Sequence, residues 1–173
     1  MILIYTALLC EAQSFIEYYK ATKINSLPKI YTNNNIIICI GGVGKDNTIK
    51  SLQYIFNHFN IQKAFNIGIA GILDKNIKIG ELFCTTHKLN LIPFKHLVTV
   101  SKPQLKDNAK ENILYDMEGE YFLDYCLNHL LKEDIYIFKI ISDHLENNKL
   151  NKEFVKQLIF KKLNYLHKIL SGL

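Results

Sequence analysis

The chain has 173 residues, 49% of them apolar, and a formal charge of +5. That length predicts a single domain spanning 1–173, large enough to bury a core. All 21 basic residues are lysines, scattered and not blocked; this argues against nucleic-acid binding, where bidentate arginine contacts are common, and the charge reads as a solvated surface.

Ile2 to Ala7 is a continuous apolar run, as in strands covered on both faces. Glu11 and Gln13 interrupt the stretch too early for it to span a membrane, and no basic region or small-residue cleavage site marks a leader. The expectation is a first buried strand in a cytoplasmic protein with no membrane partner. A helix over about 12–22 follows, with Phe15, Ile16, Tyr18 and Tyr19 as its apolar face. Glu11 sits where strand turns into helix. Ligands of open α/β sheets bind beyond the carboxyl ends of strands. Glu11 is therefore either a site acid or a helix N-terminal acid favoured by the macrodipole.

Asn33-Asn34-Asn35 is a turn signal between strands at Ile30–Thr32 and Ile36–Ile40. Gly41-Gly42-Val43-Gly44-Lys45 then leads into a helix with Ile49, Leu52, Ile55 and Phe56 at helical spacing. A strand, a glycine turn and a helix present free amides to an anion or ligand; a plain tight turn explains the segment equally well. It is not a Walker A loop, because Asp46 follows Lys45 and Cys39 stands where the first glycine belongs.

Ala64 to Gly68 reads as the next strand, and Gly68 and Gly71 point to close backbone approach by a neighbour or ligand. Lys78 to Cys84 is a turn into a strand, 87–95 a loop with Pro93, His96 to Ser101 a β-rich run, and Lys102 to Asn112 a polar loop. Asp116 to Glu118 closes a loop, and Gly119 starts a helix carrying Tyr121, Phe122, Tyr125, Leu127, Leu130 and Leu131. An Ile135–Ile141 strand ends in Ser142-Asp143, and a last helix over about 151–170 aligns Phe154, Leu158, Leu163 and Leu166. Strands alternating with helices predict an α/β fold. The four cysteines are widely separated among apolar neighbours, as reduced buried thiols would be. The six histidines form no metal-binding pair, so neither metal nor cofactor is expected.

Tyr115-Asp116-Met117-Glu118-Gly119-Glu120 places three carboxylates within five residues. With Glu11 and Asp143 these acids suit cleavage of a sugar–base bond. That reaction builds positive charge on the ribose and negative charge on the base. One acid must give the base a proton, one carboxylate must activate water, and an anionic floor steadies the sugar.

Five segments in order, Ala7-Leu8-Leu9-Cys10-Glu11, Gly41 to Lys45, Asn66 to Gly71 with Lys78-Ile79-Gly80-Glu81, Asp116-Met117-Glu118-Gly119 and Lys139-Ile140-Ile141-Ser142-Asp143, resemble the nucleoside phosphorylase and nucleosidase superfamily. They look most like its methylthioadenosine/S-adenosylhomocysteine nucleosidase branch. The resemblance implies a three-layer α/β/α sandwich around a twisted mixed sheet, a homodimer, and hydrolysis of a purine nucleoside. It implies that Asp143 protonates the departing purine at N7 and that Glu11 orients or deprotonates the attacking water. Met117 would pack on the ribose, Glu118 would accept hydrogen bonds from its hydroxyls, and Ser142 would support the site. Lys139 lies where the family often has an arginine near the water, and Gly71 would lie against the substrate.

Some positions depart from the family's pattern. The phosphorylases hold phosphate largely with arginine, which this chain lacks, so water is favoured over phosphate. Ile69 replaces a small hydroxyl residue, the stretch between Cys84 and His96 is short, and Leu105 stands where an aromatic side chain would stack on the base. The alternatives are a phosphate-dependent phosphorylase and an inactive nucleoside-binding relative.

Overall fold

The computed structural model describes residues 1–146 and 151–172. In chain order the elements are β1 (Ile2–Thr6), α1 (Leu9–Tyr18), β2 (Thr22–Ser26), β3 (Lys29–Asn33), β4 (Ile36–Ile40), α2 (Lys45–His58), β5 (Lys63–Ile72), β6 (Leu82–Cys84), β7 (His96–Thr99), β8 (Ile113–Asp116), α3 (Gly119–Cys126), β9 (Ile135–Asp143) and α4 (Lys152–Gly172). They build one mixed nine-stranded sheet with helices on both faces, a three-layer α/β/α sandwich.

The centre is β5, a 10-residue apolar strand buried along almost its whole length. Its Ala64 lies opposite Leu3 of β1 on one edge and Ile135 of β9 on the other, both parallel. Side chains alternate across the sheet. Phe65 and Ile67 face α1 and α4, packing with Phe15, Leu158, Ile159 and Leu166. Ala64, with Leu3 and Ile137 from its neighbours, faces α2 and α3, packing with Leu52, Ile55, Phe122 and Cys126. The four cysteines are free and buried, as their apolar surroundings predict.

One feature of the sheet positions the site. β1 pairs with β5 only as far as Tyr5 opposite Asn66. Further along, Gly71 pairs with Tyr115 of antiparallel β8 while also pairing with Asp143 of β9. Since β9 occupies one edge throughout, β8 takes over the edge that β1 vacates. Between the two pairings that edge of β5 is open, and the chain ends after β1, β4 and β9 converge beside it.

Several elements differ from the sequence reading. The first helix starts at Leu9, so Glu11 lies inside its first turn and not ahead of it. Its carboxylate reaches back to helix-entry amides that would otherwise lack partners. β2 was hidden because Thr22–Ser26 is an exposed edge strand with no apolar alternation. β8 was read as loop, yet Leu114 and Tyr115 are buried and the strand delivers Asp116 directly. The helix begun at Gly119 stops at Cys126, leaving Leu127 and Leu131 exposed beyond it. Phe154 is 40% exposed, and Val155, not Phe154, joins the buried side of α4.

Gly41, at the end of β4, shows how tightly this end is packed. A Cβ there would overlap the buried Tyr5 ring, which packs on Phe122 with centroids 5.5 Å apart. Gly41→Ala is expected to cost about 1–3 kcal/mol of folding stability through overpacking, read as a lower urea midpoint at unchanged slope.

Candidate active site

The open edge of β5 forms the wall of a cavity of about 520 Å³. Ala7, Leu8 and Glu11 enter from the end of β1, and Val43 from the glycine turn after β4. Ile69, Ala70 and Gly71 come from β5, Tyr115 to Glu118 from β8, and Ser142 and Asp143 from β9. Val100, Pro103, Gln104 and Leu105 make one side of the mouth, with Leu145, Glu146, Asn151 and Phe154 on the other. Glu118 lies 107 positions after Glu11, and Asp143 lies 25 positions after Glu118, yet all three line this one cavity.

Glu11 is only 3% exposed. Its Oε2 accepts the N–H groups of Ala7 at 3.0 Å and Leu8 at 2.9 Å, and its Oε1 accepts the Ile69 N–H at 3.0 Å. A carboxylate offers about four acceptor directions; three are filled, leaving one on Oε1. Burial raises the Glu11 pKa, against the opposing pull of Lys139 and the three amides. Gly68 is required here, since a Cβ would lie 2.8 Å from Glu11 Oε1.

Glu118 is buried at the entry to α3, and its Oε1 accepts the Gly44 N–H at 2.8 Å. Gly44 holds a φ of 86°, which favours glycine. The free amide of the glycine turn is thus used, with a carboxylate of the chain itself as its anion. Burial pushes the Glu118 carboxyl up to about 7, with Asp116 and Glu11 adding to the rise and Lys139 and the Gly44 amide resisting it.

Asp143 lies at the end of β9. Its Oδ2 accepts the Ser142 hydroxyl at 2.7 Å and its Oδ1 accepts the Leu145 N–H at 2.8 Å, so the carboxyl is oriented from both sides. Gly71 leaves room for it: a Cβ there would overlap Leu145 and lie 3.0 Å from Asp143 Oδ1. Met117 and Ser142 line the cavity beside their acidic neighbours.

One residue stands elsewhere than expected. Lys139 does not line the cavity; it lies one layer behind, 2% exposed. Its ammonium donates to Asn66 Oδ1 at 2.9 Å and pairs with Asp116 Oδ2 at 2.8 Å. A lysine inside a fully apolar strand cannot reach solvent, so it must find a buried partner. Its partner is Asp116, the first of the three acids clustered at 116–120. Its Oδ2 also accepts the Gly119 N–H at 2.8 Å, and its Oδ1 accepts the Thr99 hydroxyl at 2.6 Å. Glu120, exposed in the first turn of α3, accepts the Thr99 N–H at 3.1 Å. The lone charge within 135–142, Lys139, was the available signal for this network, whose members Asn66, Thr99 and Asp116 come from three other strands.

Among the described residues no cluster of three or more His, Cys, Asp or Glu side chains is arranged to hold a metal ion. No described helix is long and apolar enough to cross a membrane.

Three comparisons bear on this arrangement. A 5'-methylthioadenosine/S-adenosylhomocysteine nucleosidase of Buchnera aphidicola is 25% identical over 148 residues, covering 78% of this chain and 59% of the relative. The chain therefore spans under two thirds of that relative's length. The Helicobacter pylori 5'-methylthioadenosine/S-adenosylhomocysteine nucleosidase, solved with butyl-thio-DADMe-Immucillin-A, superposes with a TM-score of 0.82 at 16% identity, covering 99% of this chain and 98% of that one. The futalosine hydrolase of Helicobacter pylori also gives a TM-score of 0.82, at 15% identity, covering 99% and 97%. At these identities the two structures speak for the fold. The model of the phosphorylase superfamily matches residues 4–156, from the first strand through the start of the last helix, and the chain belongs to that superfamily.

Proposed function

We propose that the chain hydrolyses the N-glycosidic bond of a purine nucleoside of the methylthioadenosine or S-adenosylhomocysteine type. The observation that carries the reading is the single cavity lined together by Glu11, Met117, Glu118, Ser142 and Asp143. As the bond between C1′ and the base breaks, its electrons pass to the base, and Asp143 protonates N7. Water attacks C1′ and gives its proton to Glu11, whose unused acceptor direction suits that water. Glu118 takes hydrogen bonds from the ribose hydroxyls, and its charge steadies the developing cation. Met117 packs on the ribose, and Gly71 keeps the wall thin where Asp143 must approach. At the mouth Val43, Leu105 and Phe154 offer apolar contact to a thioether substituent, beside the polar Gln104, Glu146 and Asn151.

The cavity charge favours water as the nucleophile. Glu11, Asp116, Glu118, Asp143 and Glu146 line it, and none of its described lining residues is Lys, Arg or His. A phosphate dianion there would meet like charge. The reading also carries a homodimer in the cytoplasm; light scattering would then report twice the chain mass.

A panel of methylthioadenosine, S-adenosylhomocysteine and futalosine tests the reaction. Free base is expected without added phosphate, and Asp143→Asn should cut kcat by about 10²-fold or more while substrate binding changes little. Phosphate-dependent release would favour the phosphorylase, and binding without release would leave an inactive nucleoside-binding relative.

Glu118 generates a separate expectation for the ligand-free protein. Its folded pKa, about 7, lies above its ordinary 4.5. Between those values the folded state holds more protons than the unfolded one. Stability is therefore highest below the lower value and falls as pH rises through about 7, by on the order of 3 kcal/mol from this group. Urea midpoints measured from pH 4.5 to 8 should fall less steeply in Glu118→Gln than in the wild type.

A further inference from the structure

Asp116 on the cavity wall and Lys139 one layer behind it form a buried pair outside the residues given a chemical step above. Asp116 receives hydrogen bonds from three parts of the site at once. Lys139 Nζ comes from β9, the strand that ends in Asp143. The Gly119 N–H comes from the start of α3, next to Glu118. The Thr99 hydroxyl comes from the end of β7, next to Val100 on the cavity mouth. Lys139 in turn holds Asn66 of β5 at 2.9 Å. Both it and Glu11 press against Gly68: a Cβ there would lie 2.8 Å from Glu11 Oε1 and 3.5 Å from Lys139 Nζ.

We propose that Asp116 and Lys139 are a positioning pair for the cavity acids, Asp116 joining the elements that carry them and Lys139 serving Glu11, Asp116 and Glu118 as their shared counter-ion. Both side chains are sealed from water, at 1% and 2% exposure. Solvent therefore screens their charge weakly, and each acts strongly on its neighbours. The groups facing Glu118 are Glu11 from α1, Asp116 from β8, Lys139 from β9 and the Tyr5 hydroxyl from β1, which burial keeps protonated. Burial works against the Lys139 charge, but Asp116, Glu118 and Glu11 together overcome it and hold the ammonium protonated. One cation among three carboxylates leaves the layer short of positive charge. The sign of any change at Asp116 or Lys139 then decides which way the remaining acids move.

That sign separates this role from simple support of the fold. Replacing Lys139 by Gln removes the cation and should raise the Glu118 midpoint by about one pH unit or more. Replacing Asp116 by Asn keeps the shape, removes a repelling charge and frees Lys139 for the remaining acids, so the Glu118 midpoint should fall. Loosened packing would move both variants the same way, towards the ordinary carboxyl value.

The experiment is a carbon-13 NMR titration of glutamate side-chain carboxyls in the ligand-free full chain. The Glu118 and Glu11 signals are assigned with Glu118→Gln and Glu11→Gln. Opposite shifts in Lys139→Gln and Asp116→Asn, with Lys139→Arg restored to near the wild-type midpoint, support the pair. Unchanged midpoints, or shifts in one common direction, overturn it. Should Lys139→Gln fail to fold, Lys139→Met takes its place: a Glu118 midpoint raised in it and lowered in Asp116→Asn supports the pair, and any other pattern overturns it. The inference was framed on the nucleosidase reading, but this titration uses no substrate. A wild type that releases no base would sink that reading and leave this result standing.

Discussion

The site depends on one buried ion pair. Taking an ammonium and a carboxylate out of water costs several kcal/mol each, and attraction repays this only where geometry and further hydrogen bonds are good. Here Lys139 and Asp116 meet at 2.8 Å, and Asn66, Gly119 and Thr99 supply the remaining bonds. Removing either partner would leave a buried charge without its match. The pair also sets the charge around the cavity acids. Glu11 and Glu118 are crowded with Asp116 where water is scarce, and a neighbouring cation limits how far their carboxyls are driven towards the neutral form.

The geometry follows from a change of partner along one strand. β5 exchanges β1 for β8 on the same edge, leaving Ile69 between them to give its N–H to Glu11. Because β8 runs antiparallel, its carboxyl end turns back towards the ends of β1 and β4. That reversal brings Glu118 to the Gly44 amide. A parallel strand there would carry the same residues away from the opening. Gly68 and Gly71 serve the same purpose from the other side, as their missing Cβ atoms are the space that Glu11 and Asp143 occupy.

The cavity combines an acidic floor with a mouth of mixed apolar and polar residues. Each acid is tied to backbone amides or to a neighbouring hydroxyl, so little side-chain freedom remains to be lost when a ligand enters. The mouth is different in kind. Leu105 and Phe154 are 47% and 40% exposed, lying on the loop after β7 and at the start of α4. Where Leu105 stands, contact with a flat base would come from aliphatic surface and not from a π-face.

The α/β class and the central apolar strands were legible because they depend on local pattern, whereas the acids of the cavity were singled out by the resemblance of five short segments to a known family. The apolar run Ile2 to Thr6 reads as a strand covered on both faces, as does Ile135 to Ile141 around its one lysine, and Gly68 and Gly71 announce close approach. Membership of one cavity by Glu11, Met117, Glu118, Ser142 and Asp143 was an expectation that the tertiary structure had to decide. β2 and β8 were not legible, the first because an exposed edge strand carries no apolar alternation, the second because its few residues gain strand form only from β5 and β7. Nor was the place of Lys139 behind the acids. A charged residue in an apolar strand says that a partner exists, but its identity depends on which distant strands the sheet sets beside it. Sequence periodicity reports the environment of each residue, whereas the Lys139–Asp116 pair is a distance between residues 23 positions apart, set by the order and direction of strands.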